Sequence, residues 1–330
     1  MKILKLLLIA FLITLAFGCL LLAMPRIWSA LHPNDPPVGY HFTTATYLAL
    51  ILGLEKLVDR QPAVPQEIEE IKNIEYKNVK GKSLQIDMYK PRKLTEKVPL
   101  LVFIHGGGWK GGDRADYKVY LLPFAKKGYI TATVSYRFVN DSPYPACVED
   151  IKDAVKWFFR NGDKYGYDPD RIALIGGSAG GHLALLAVYG WKNSVEKNDT
   201  TLIPVENSHH IKAVVDFYGP VDLTTEYARN HPIVTGFLEK TYDQAPEVFL
   251  EASPIHYLDR SAPPTLIFQG TSDDLVRVSQ SDNLKKQLDS LGVPSVYYRL
   301  PLWPHTMDAA QRVNDYCQLK MDAFFKQYLN

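Results

Sequence analysis

Short apolar segments alternate with longer amphipathic segments from about residue 70 onward. Two early segments, 74–76 and 84–89, alternate polar and apolar side chains, as half-exposed edge strands do. Six further segments are short and apolar, as buried strands are; they begin near Leu100, Tyr129, Arg171, Ile211, Thr265 and Ser295. Helical patterns separate them, at 116–127, 145–165, 181–191 and 278–291. This order predicts an α/β fold in which an eight-stranded, mostly parallel sheet carries helices on both faces.

The interval 221–258 interrupts the alternation between the sixth and seventh strands and predicts a small cap. Its aromatic side chains either line a pocket or pack among short helices; they are Tyr227, Phe237, Tyr242, Phe249 and Tyr257. Earlier in the chain, Pro145 is expected to start a helix, because its missing N–H costs nothing in the first turn. His209 and His210 have no further ligand at metal-binding spacing, so we interpret them as part of a solvated loop.

The first 30 residues carry a different pattern. Lys2 and Lys5 precede residues 6–24, which hold no charge and come close to the ~20 residues that span a bilayer. Positive charge before such a segment favours export of the following domain. We favour an uncleaved signal-anchor, since the segment is longer than the usual core of a signal peptide. A cleaved signal with a small-x-small site at 16–18, giving a secreted or periplasmic protein, and a lipoprotein attached through Cys19 remain alternatives.

Residues 31–70 connect this segment to the rest of the chain. The stretch 33–37 is rich in proline and is expected to be extended. Apolar residues then recur at helical spacing, at Tyr47, Leu50, Ile51, Leu54, Leu57 and Val58. We expect this segment to pack on its own domain, although it could also lie on a membrane surface. The predicted organisation is therefore an anchor or signal (1–30), a linker with an amphipathic segment (31–70) and one α/β domain (71–330).

Composition narrows the class of protein. The chain has 330 residues, of which 46% are hydrophobic and 22% charged. The part after the first 60 or so, about 270 residues, suits one domain. A net charge of +1 offers no argument for a nucleic-acid partner. Cys19, Cys147 and Cys317 are too few for a disulfide framework or a metal cluster; a Cys147–Cys317 bridge is conceivable, but buried free thiols are the favoured interpretation.

A serine lies at the apex of a predicted strand–turn–helix. Residues 176–180 read Gly-Gly-Ser-Ala-Gly, after the apolar segment 172–175 and before the helix-forming segment 182–188. Small residues are needed there because the turn is strained and side chains would clash across it. A G-x-S-x-G in this context is typical of the nucleophile elbow, which presents a serine hydroxyl above the sheet. We therefore expect Ser178 to be a nucleophile.

The predicted strand at 100–104 ends in His-Gly-Gly-Gly-Trp, residues 105–109. Acyl transfer needs backbone N–H groups aimed at the oxygen that becomes negative in the transition state, and glycines let the backbone come close. An H-G-G-G loop supplies such groups together with the residue after the nucleophile. The prediction is an oxyanion hole made by Gly107, Gly108 and Ala179, with His105 orienting the loop. A phosphate-binding loop is disfavoured, because neither glycine pattern typical of one is present.

Chain order indicates the other two members of a triad. On this type of sheet the serine is followed first by an acid and then by a histidine. The predicted strand at 265–270 leads into a loop with Asp273 and Asp274, and the one histidine beyond them is His305. Each candidate group thus follows a separate strand, at the edge where ligands bind in open α/β sheets.

These motifs resemble those of the α/β-hydrolase superfamily, and within it the carboxylesterases with an H-G-G-G-W oxyanion loop. The chain is similar to hormone-sensitive-lipase-like esterases and closer to feruloyl- and acetyl-xylan-esterase-like domains. The matching stretches span most of residues 75–330; they are 105–109, 134–137, 168–172, 176–182, 216–220, 270–276 and 304–305. In this family the acid falls in a G-T-x-D-x-x-V pattern, so the resemblance implies the triad Ser178, Asp273 and His305.

The resemblance further implies a serine hydrolase that cleaves small carboxylic esters through an acyl-enzyme, with no cofactor and no metal. An arylformamidase or a peptidase is the alternative within the same chemistry, since the same triad cleaves amides. A non-catalytic binding module with a hydrolase fold is the alternative from another class, and the complete set of motifs argues against it. The sequence indicates neither the acyl nor the alcohol group.

Overall fold

The computed structural model describes residues 2–40, 43–191 and 211–329. Within these ranges, eight strands form one sheet. Their bounds are β1 Ile68–Val79, β2 Lys82–Pro91, β3 Val98–Ile104, β4 Ile130–Val134, β5 Tyr167–Gly177, β6 Ile211–Phe217, β7 Thr265–Gly270 and β8 Ser295–Leu300. The predicted eight-stranded α/β fold is confirmed.

The strand order across the sheet is β1-β2-β4-β3-β5-β6-β7-β8. β2 is antiparallel to both of its neighbours, and every other adjacent pair is parallel. Parallel neighbours require crossover connections, so the carboxyl ends of β3 to β8 meet along one edge. The loops after β3, β5, β7 and β8 share that edge, which is where the sequence predicts the functional groups.

The helices cover both faces of this sheet. Their bounds in the described residues are α1 Lys2–Leu31, α2 Thr43–Ile51, α3 Lys118–Lys126, α4 Ala146–Tyr165, α5 Ala179–Tyr189, α6 Glu226–Arg229, α7 Pro232–Leu238, α8 Pro246–Glu251, α9 Val278–Leu291 and α10 Gln311–Tyr328. α3 starts later than predicted, because a 3₁₀ turn capped by Asp113 occupies Arg114–Tyr117. α5 starts earlier, directly after Ser178, and Pro145 lies at the N-cap of α4.

Side chains of each central strand alternate between two hydrophobic layers. Along β3, Leu100 and Val102 lie in the layer that also holds α4, α5 and α9, whereas Leu101 and Phe103 lie in the layer with α3 and α10. Burial on both faces explains why these strands are continuous apolar segments in the sequence. Cys147 and Cys317 are buried in opposite layers and are free thiols, which confirms the favoured interpretation and excludes a bridge between them.

The interval 221–258 forms a layer of short helices, α6 to α8, followed by a 3₁₀ turn at Pro254–Tyr257. Its aromatic residues divide into two groups. Phe237 and Phe249 are fully buried and belong to the core, whereas Tyr227 lies near the acid loop and donates to the carbonyl of Asp274 at 3.1 Å. His209 and His210 lie outside the described residues.

α1 is, among the described residues, the one helix long and apolar enough to cross a membrane. Its leucine, isoleucine and phenylalanine side chains are exposed, apart from the half-buried Leu22. α2 ends at Ile51, so the helical spacing expected through Val58 does not continue as a helix. Instead Leu57 pairs with Ala310, and the N–H of Val58 donates to the carbonyl of Ala309 at 2.9 Å. The second half of the amphipathic segment therefore packs on its own domain, beside the loop after β8.

Arg312, at the start of α10, connects these N-terminal segments to the sheet. Its Nε lies 2.7 Å from the buried carboxylate of Glu55. Its two Nη atoms donate to Ser29 Oγ at 2.9 Å and to the carbonyl of Val38 at 2.7 Å. α1, the linker and the segment after α2 thus meet at one guanidinium.

Candidate active site

Ser178 occupies the sharp turn between β5 and α5. Its backbone has φ 55° and ψ −123°, a strained conformation for a residue with a side chain. The turn is possible because its neighbours are glycines: a Cβ on Gly176 would overlap the carbonyl of Gly180, and one on Gly180 would overlap the carbonyl of Ile104. The sheet holds the strained residue in place, since the N–H of Ser178 donates to the carbonyl of Phe217 at 2.8 Å.

His305 lies in the loop after β8 and bridges the serine and an acid. Its Nε2 is 3.0 Å from Ser178 Oγ, and its Nδ1 is 2.7 Å from Asp273 Oδ2. Both distances are those of hydrogen bonds between a nucleophile, a base and the group that orients the base. The edge of the Tyr218 ring packs against the imidazole, with ring centroids 4.6 Å apart. The sequence-predicted serine, histidine and acid are therefore brought together.

The carboxylate of Asp273 is buried, whereas Asp274 is exposed. Oδ1 of Asp273 accepts the backbone N–H groups of Leu275 and Val276 at 3.0 and 2.8 Å. Oδ2 accepts the side-chain amide of Gln269 at 2.9 Å in addition to the imidazole. Four donors thus hold this carboxylate in one orientation. Of the two adjacent acids, the one bonded to His305 is Asp273, which is the acid that the family pattern implies.

Gly107 and Gly108 form the turn after β3 with φ 110° and 58°. A side chain at Gly107 would also overlap the carbonyl of Gly111, so this loop needs glycine for both reasons. Among the described residues, neither glycine N–H has a hydrogen-bond acceptor. Ala179 is the first residue of α5, and its N–H therefore has no acceptor within the helix. Three N–H groups next to Ser178 are left available for a negative oxygen.

Two buried rings fix the position of the glycine loop from behind. His105 stacks on Tyr136 with ring centroids 4.4 Å apart, and its Nδ1 is 2.9 Å from the carbonyl of Gly106. The hydroxyl of Tyr136 donates to the carbonyl of His105 at 2.9 Å. Burial lowers the pKa of His105, so the neutral ring is favoured. This geometry agrees with an orienting role for His105 rather than proton transfer.

Trp109 closes the other side of the loop. Its ring stacks on Phe237 of α7 with centroids 4.1 Å apart, and its Nε1 donates to Nδ1 of His182 at 3.3 Å. His182 Nε2 in turn donates to the carbonyl of Ala252 at 2.7 Å. Burial lowers the pKa of His182 to about 4, so the imidazole is neutral at neutral pH. α5, the glycine loop and the cap are thereby joined by one hydrogen-bonded chain.

Two cavities meet at Ser178. The larger, about 510 Å³, is lined by His305 and the glycine loop at 106–108. The smaller, about 80 Å³, is lined by Ala179, Trp109 and Val234 of α7 and does not include His305. Ser178 therefore lies between the larger cavity, on the side of His305, and the smaller cavity, on the opposite side.

Tyr117, Asp308 and Arg60 line the larger cavity and were not singled out from the sequence. Asp308 follows the histidine by three residues, a spacing that could have drawn attention to it, whereas Tyr117 and Arg60 come from distant segments and carry no sequence signal. Tyr218, from the matched stretch 216–220, and Val58, from the amphipathic segment, line the same cavity. Among the described residues, no group of three His, Cys, Asp or Glu side chains could hold a metal ion.

The sequence profile of the BD-FAE family matches residues 86–288, more than half of the chain. The probable carboxylic ester hydrolase LipM of Mycobacterium tuberculosis is 32% identical over 239 residues, which are 69% of this chain and 54% of LipM. Esterase LipC of the same organism is 33% identical over 235 residues, 68% of this chain and 57% of LipC. The chain thus spans just over half the length of these curated relatives.

A solved structure described as a truncated carbohydrate esterase from gut microbiota superimposes with a TM-score of 0.67 at 24% identity, over 81% of this chain and 99% of that one. Esterase 2 of Thermogutta terrifontis gives a TM-score of 0.64 at 22% identity, over 81% and 95%. At such identities the likeness concerns the fold alone. The family profile matches the chain from within β2 to within α9. The chain therefore belongs to the BD-FAE family of α/β-hydrolase-fold proteins.

Proposed function

We propose that this protein is a serine hydrolase that cleaves carboxylic esters through an acyl-enzyme. The observation that carries the proposal is the hydrogen-bonded chain from Ser178 through His305 to Asp273. It is supported by the three N–H groups of Gly107, Gly108 and Ala179, which have no acceptor among the described residues. The esterase relatives support the same reaction class. The fold alone would not, because hydrolase folds also host other functions.

In the first half-reaction, Nε2 of His305 takes the hydroxyl proton as Ser178 Oγ attacks the ester carbonyl. The carbonyl oxygen becomes negative and is bound by the N–H groups of Gly107, Gly108 and Ala179. Asp273 keeps the imidazole proton on Nδ1 and stabilises the imidazolium that forms. Since four donors already orient its carboxylate, the acid needs no rearrangement during the step.

Collapse of the tetrahedral intermediate breaks the bond between the acyl carbon and the alcohol oxygen. The imidazolium of His305 gives its proton to the leaving alkoxide, so the alcohol leaves as a neutral molecule and Ser178 keeps the acyl group. Water then attacks the acyl carbon while His305 takes its proton, the bond between the acyl carbon and Ser178 Oγ breaks, and the imidazolium returns the proton to Oγ as the acid leaves. The cycle balances without a cofactor.

The position of His305 assigns the two cavities to the two parts of an ester. A leaving alkoxide must lie within reach of Nε2, so the alcohol occupies the larger cavity, which His305 lines. The acyl group occupies the smaller cavity on the far side of the serine. A volume of about 80 Å³ suits a short acyl group, whereas 510 Å³ admits an extended alcohol.

We further propose that α1 tethers the enzyme to a membrane, with the catalytic domain outside the cytoplasm. A 30-residue helix is about 45 Å long, more than the hydrocarbon core of a bilayer. Its exposed apolar surface would be unfavourable in water, and the two lysines at its start favour an internal N-terminus.

Replacement of the nucleophile tests the proposed reaction. Ser178→Ala should reduce kcat for p-nitrophenyl acetate by about 10⁴- to 10⁶-fold, because a methyl group cannot attack. A fluorophosphonate probe should label the wild type at Ser178 and leave the variant unlabelled. Ser290, exposed near the end of α9, provides a control, since Ser290→Ala should retain both activity and labelling. Near-normal turnover in a folded Ser178→Ala variant would remove the proposal.

A panel of substrates separates the alternatives within the same chemistry. Chromogenic esters, formylkynurenine and short peptide anilides distinguish an esterase from an arylformamidase or a peptidase. We expect kcat/KM to be highest for the esters, and a preference for the amide or anilide substrates would replace the esterase assignment while keeping the triad.

A further inference from the structure

One side of α2 carries apolar side chains that are exposed. They lie about one helical turn apart in two pairs, on α2 and the residue that follows it, so they share one face. They are Tyr47, Leu48, Ile51 and Leu52. Ile51 is 80% exposed, whereas Ala49, which is not on this face, is fully buried. Such a cluster is unfavourable in water, so a partner is expected to cover it.

The chain around this face suits hydrocarbon surroundings. Between Asp35 and Glu55 there is no Asp, Glu, Lys or Arg. The end of α2 also pairs its own backbone: the N–H of Leu52 donates to the carbonyl of Leu48 at 2.9 Å. The N–H of Glu55 donates to the carbonyl of Ala49 at 3.0 Å. Inside a bilayer, charge is expensive and backbone polar groups need partners within the protein.

α2 lies beside the part of α1 that would span the bilayer. A groove of about 1110 Å³ lies between the two helices, and none of its lining residues is charged. Along α1 the groove runs from Phe11 to Trp28, which are roughly 25 Å apart along the helix axis. Leu48 and Leu52 contribute to the opposite wall. If α1 spans a bilayer, a helix at this level lies in the bilayer as well.

Contacts just beyond α2 indicate where the bilayer surface lies. Arg26 is the first charged residue after the uncharged segment of α1, and its Nη1 donates to the carbonyl of Leu54 at 2.6 Å. Arg312 joins Glu55, the first charged residue after α2, to Ser29 of α1. The charged side chains that follow the two apolar stretches are therefore held close together, as expected at the boundary between hydrocarbon and head groups.

We propose that α2 inserts into the outer leaflet of the bilayer beside α1, and that hydrocarbon chains of lipids fill the groove between the two helices. This inference rests on the proposed membrane tether, because the position of α1 fixes that of α2. By itself, α2 would attach a protein to a membrane only weakly and reversibly, since the apolar area that it buries is small.

Insertion of α2 brings the catalytic cavity to the membrane surface. Val58 lines that cavity and follows Leu52 by six residues, which reach at most about 20 Å when fully extended. Leu302 lines the groove, and His305, three residues later, lines the cavity. The catalytic domain is thus held directly on the bilayer rather than at the end of a free tether.

A fluorescent label on the exposed face of α2 tests the proposal in the full chain. The protein is reconstituted in phosphatidylcholine vesicles, with or without lipid that carries a nitroxide near the top of its acyl chain. Cys19→Ser/Ile51→Cys is labelled with a thiol-reactive nitrobenzoxadiazole dye, while Cys147 and Cys317 are buried and stay unlabelled. Its emission should shift to shorter wavelength than in water. The nitroxide lipid should remove roughly half of the emission or more, because an interfacial helix buries its apolar face roughly 5–10 Å deep.

Three further labelled proteins make the result specific. Cys19→Ser/Tyr47→Cys, one turn earlier on the same face, should behave as the variant at position 51 does. Ser290 is exposed near the end of α9, at the edge of the sheet opposite the catalytic loops. Cys19→Ser/Ser290→Cys should therefore show neither the shift nor the quenching. The wild type labelled at Cys19, which is exposed in α1, should show both and reports whether α1 is inserted.

The outcomes separate this inference from the proposals on which it depends. Unquenched labels at positions 47 and 51, together with a quenched label at Cys19, would overturn the insertion of α2 and leave the tether standing. A shift without quenching at positions 47 and 51 would also overturn it, since protein, such as a second copy of the chain, would then cover the face. An unquenched label at Cys19 would contradict the tether and remove this inference with it. Hydrolysis of p-nitrophenyl acetate by the same samples reports the proposed ester chemistry separately.

Discussion

Asp273 and Asp274 are neighbours in the chain with identical side chains, yet their surroundings differ completely. One carboxylate is buried with four donors, including the imidazole, and the other points to solvent. A carboxylate can orient His305 only if its own orientation is fixed, and backbone N–H groups do this more rigidly than water. At the scale of single residues, the position of each aspartate in the loop, and not the chemistry of its side chain, therefore decides which of the two can orient His305.

This difference predicts unequal effects of two matched substitutions. Asp273→Asn should lower kcat by about 10⁴-fold, because an amide can hold the wrong imidazole tautomer and cannot stabilise imidazolium. Asp274→Asn should change kcat only a few-fold. Steady-state kinetics with p-nitrophenyl acetate, on variants checked by circular dichroism, measures both. If Asp274→Asn proves more damaging, the acid has been assigned to the wrong residue.

At the scale of secondary-structure elements, α7 limits the size of the smaller cavity at Ser178. Its Phe237 supports Trp109 from behind, and its Val234 forms part of the cavity wall. On the proposed assignment of the two cavities, a short helix in the cap, and not a residue of the triad, limits the acyl group.

Val234→Ala should widen the acyl cavity. We expect the kcat/KM ratio of butyrate to acetate p-nitrophenyl esters to rise on the order of tenfold, since each methylene in an apolar pocket contributes roughly this factor. Val248→Ala, in α8 and away from the wall of either cavity at Ser178, is the matched control and should leave the ratio unchanged. An unchanged ratio in Val234→Ala would place the acyl group elsewhere.

The stability of the whole domain should fall in acid through His182. Burial lowers the pKa of its imidazole to about 4, against about 6.5 in an unfolded chain. Below pH 6.5 the unfolded chain takes up a proton on this residue while the folded protein does not, so stability is present above pH 6.5 and is lost as pH falls toward 4. The loss attributable to His182 is about 3 kcal/mol.

Urea unfolding at a series of pH values checks this expectation. His182→Asn should be less stable than the wild type at pH 7.5, because Trp109 and Ala252 lose a partner. Its free energy of unfolding should nevertheless fall less steeply between pH 6.5 and 4. His256→Asn, at an exposed site, controls for the loss of any histidine. Parallel pH slopes for His182→Asn and the wild type would contradict the assignment.

The proposed role of α1 as a membrane anchor can be tested on the native protein. An uncleaved anchor should keep the protein in membranes after an alkaline carbonate wash, which removes only peripheral proteins, and the intact mass should include residues 1–30. A chain that begins at Asn34 should be soluble and active, because every group of the proposed mechanism lies downstream. A mature N-terminus between Cys19 and Ala30 would indicate a cleaved signal instead, and a lipid-sized mass on Cys19 a lipoprotein.

Much of this architecture is encoded locally and was accessible from the sequence. Buried parallel strands must be apolar on both faces, so β3 to β8 are visible as short apolar segments, whereas β1 and β2 are visible by their alternation of polar and apolar side chains. A strained turn beside other backbone tolerates little but glycine, so the elbow at Ser178 and the loop at 107–108 are visible as glycine motifs. Chain order along the sheet then indicated His305 and the loop with Asp273 and Asp274, and the family resemblance implied Asp273 within that pair. C-terminal α10 was not predicted; it lies beyond the last motif and carries none of the proposed catalytic groups.

Other features depend on residues far apart in the chain and were decided only by the tertiary structure. Tyr117 and Tyr218 line one cavity because β3, β5 and β6 end at the same edge of the sheet, and no spacing in the sequence records that meeting. The segment after α2 lies beside the histidine loop rather than continuing as a helix, since Leu57 and Val58 find backbone partners at 309–310. The position of a reactive group depends on local backbone geometry, and short sequence motifs record that geometry. The walls of the cavities depend on packing between segments that are distant in the chain, and only the tertiary structure shows it.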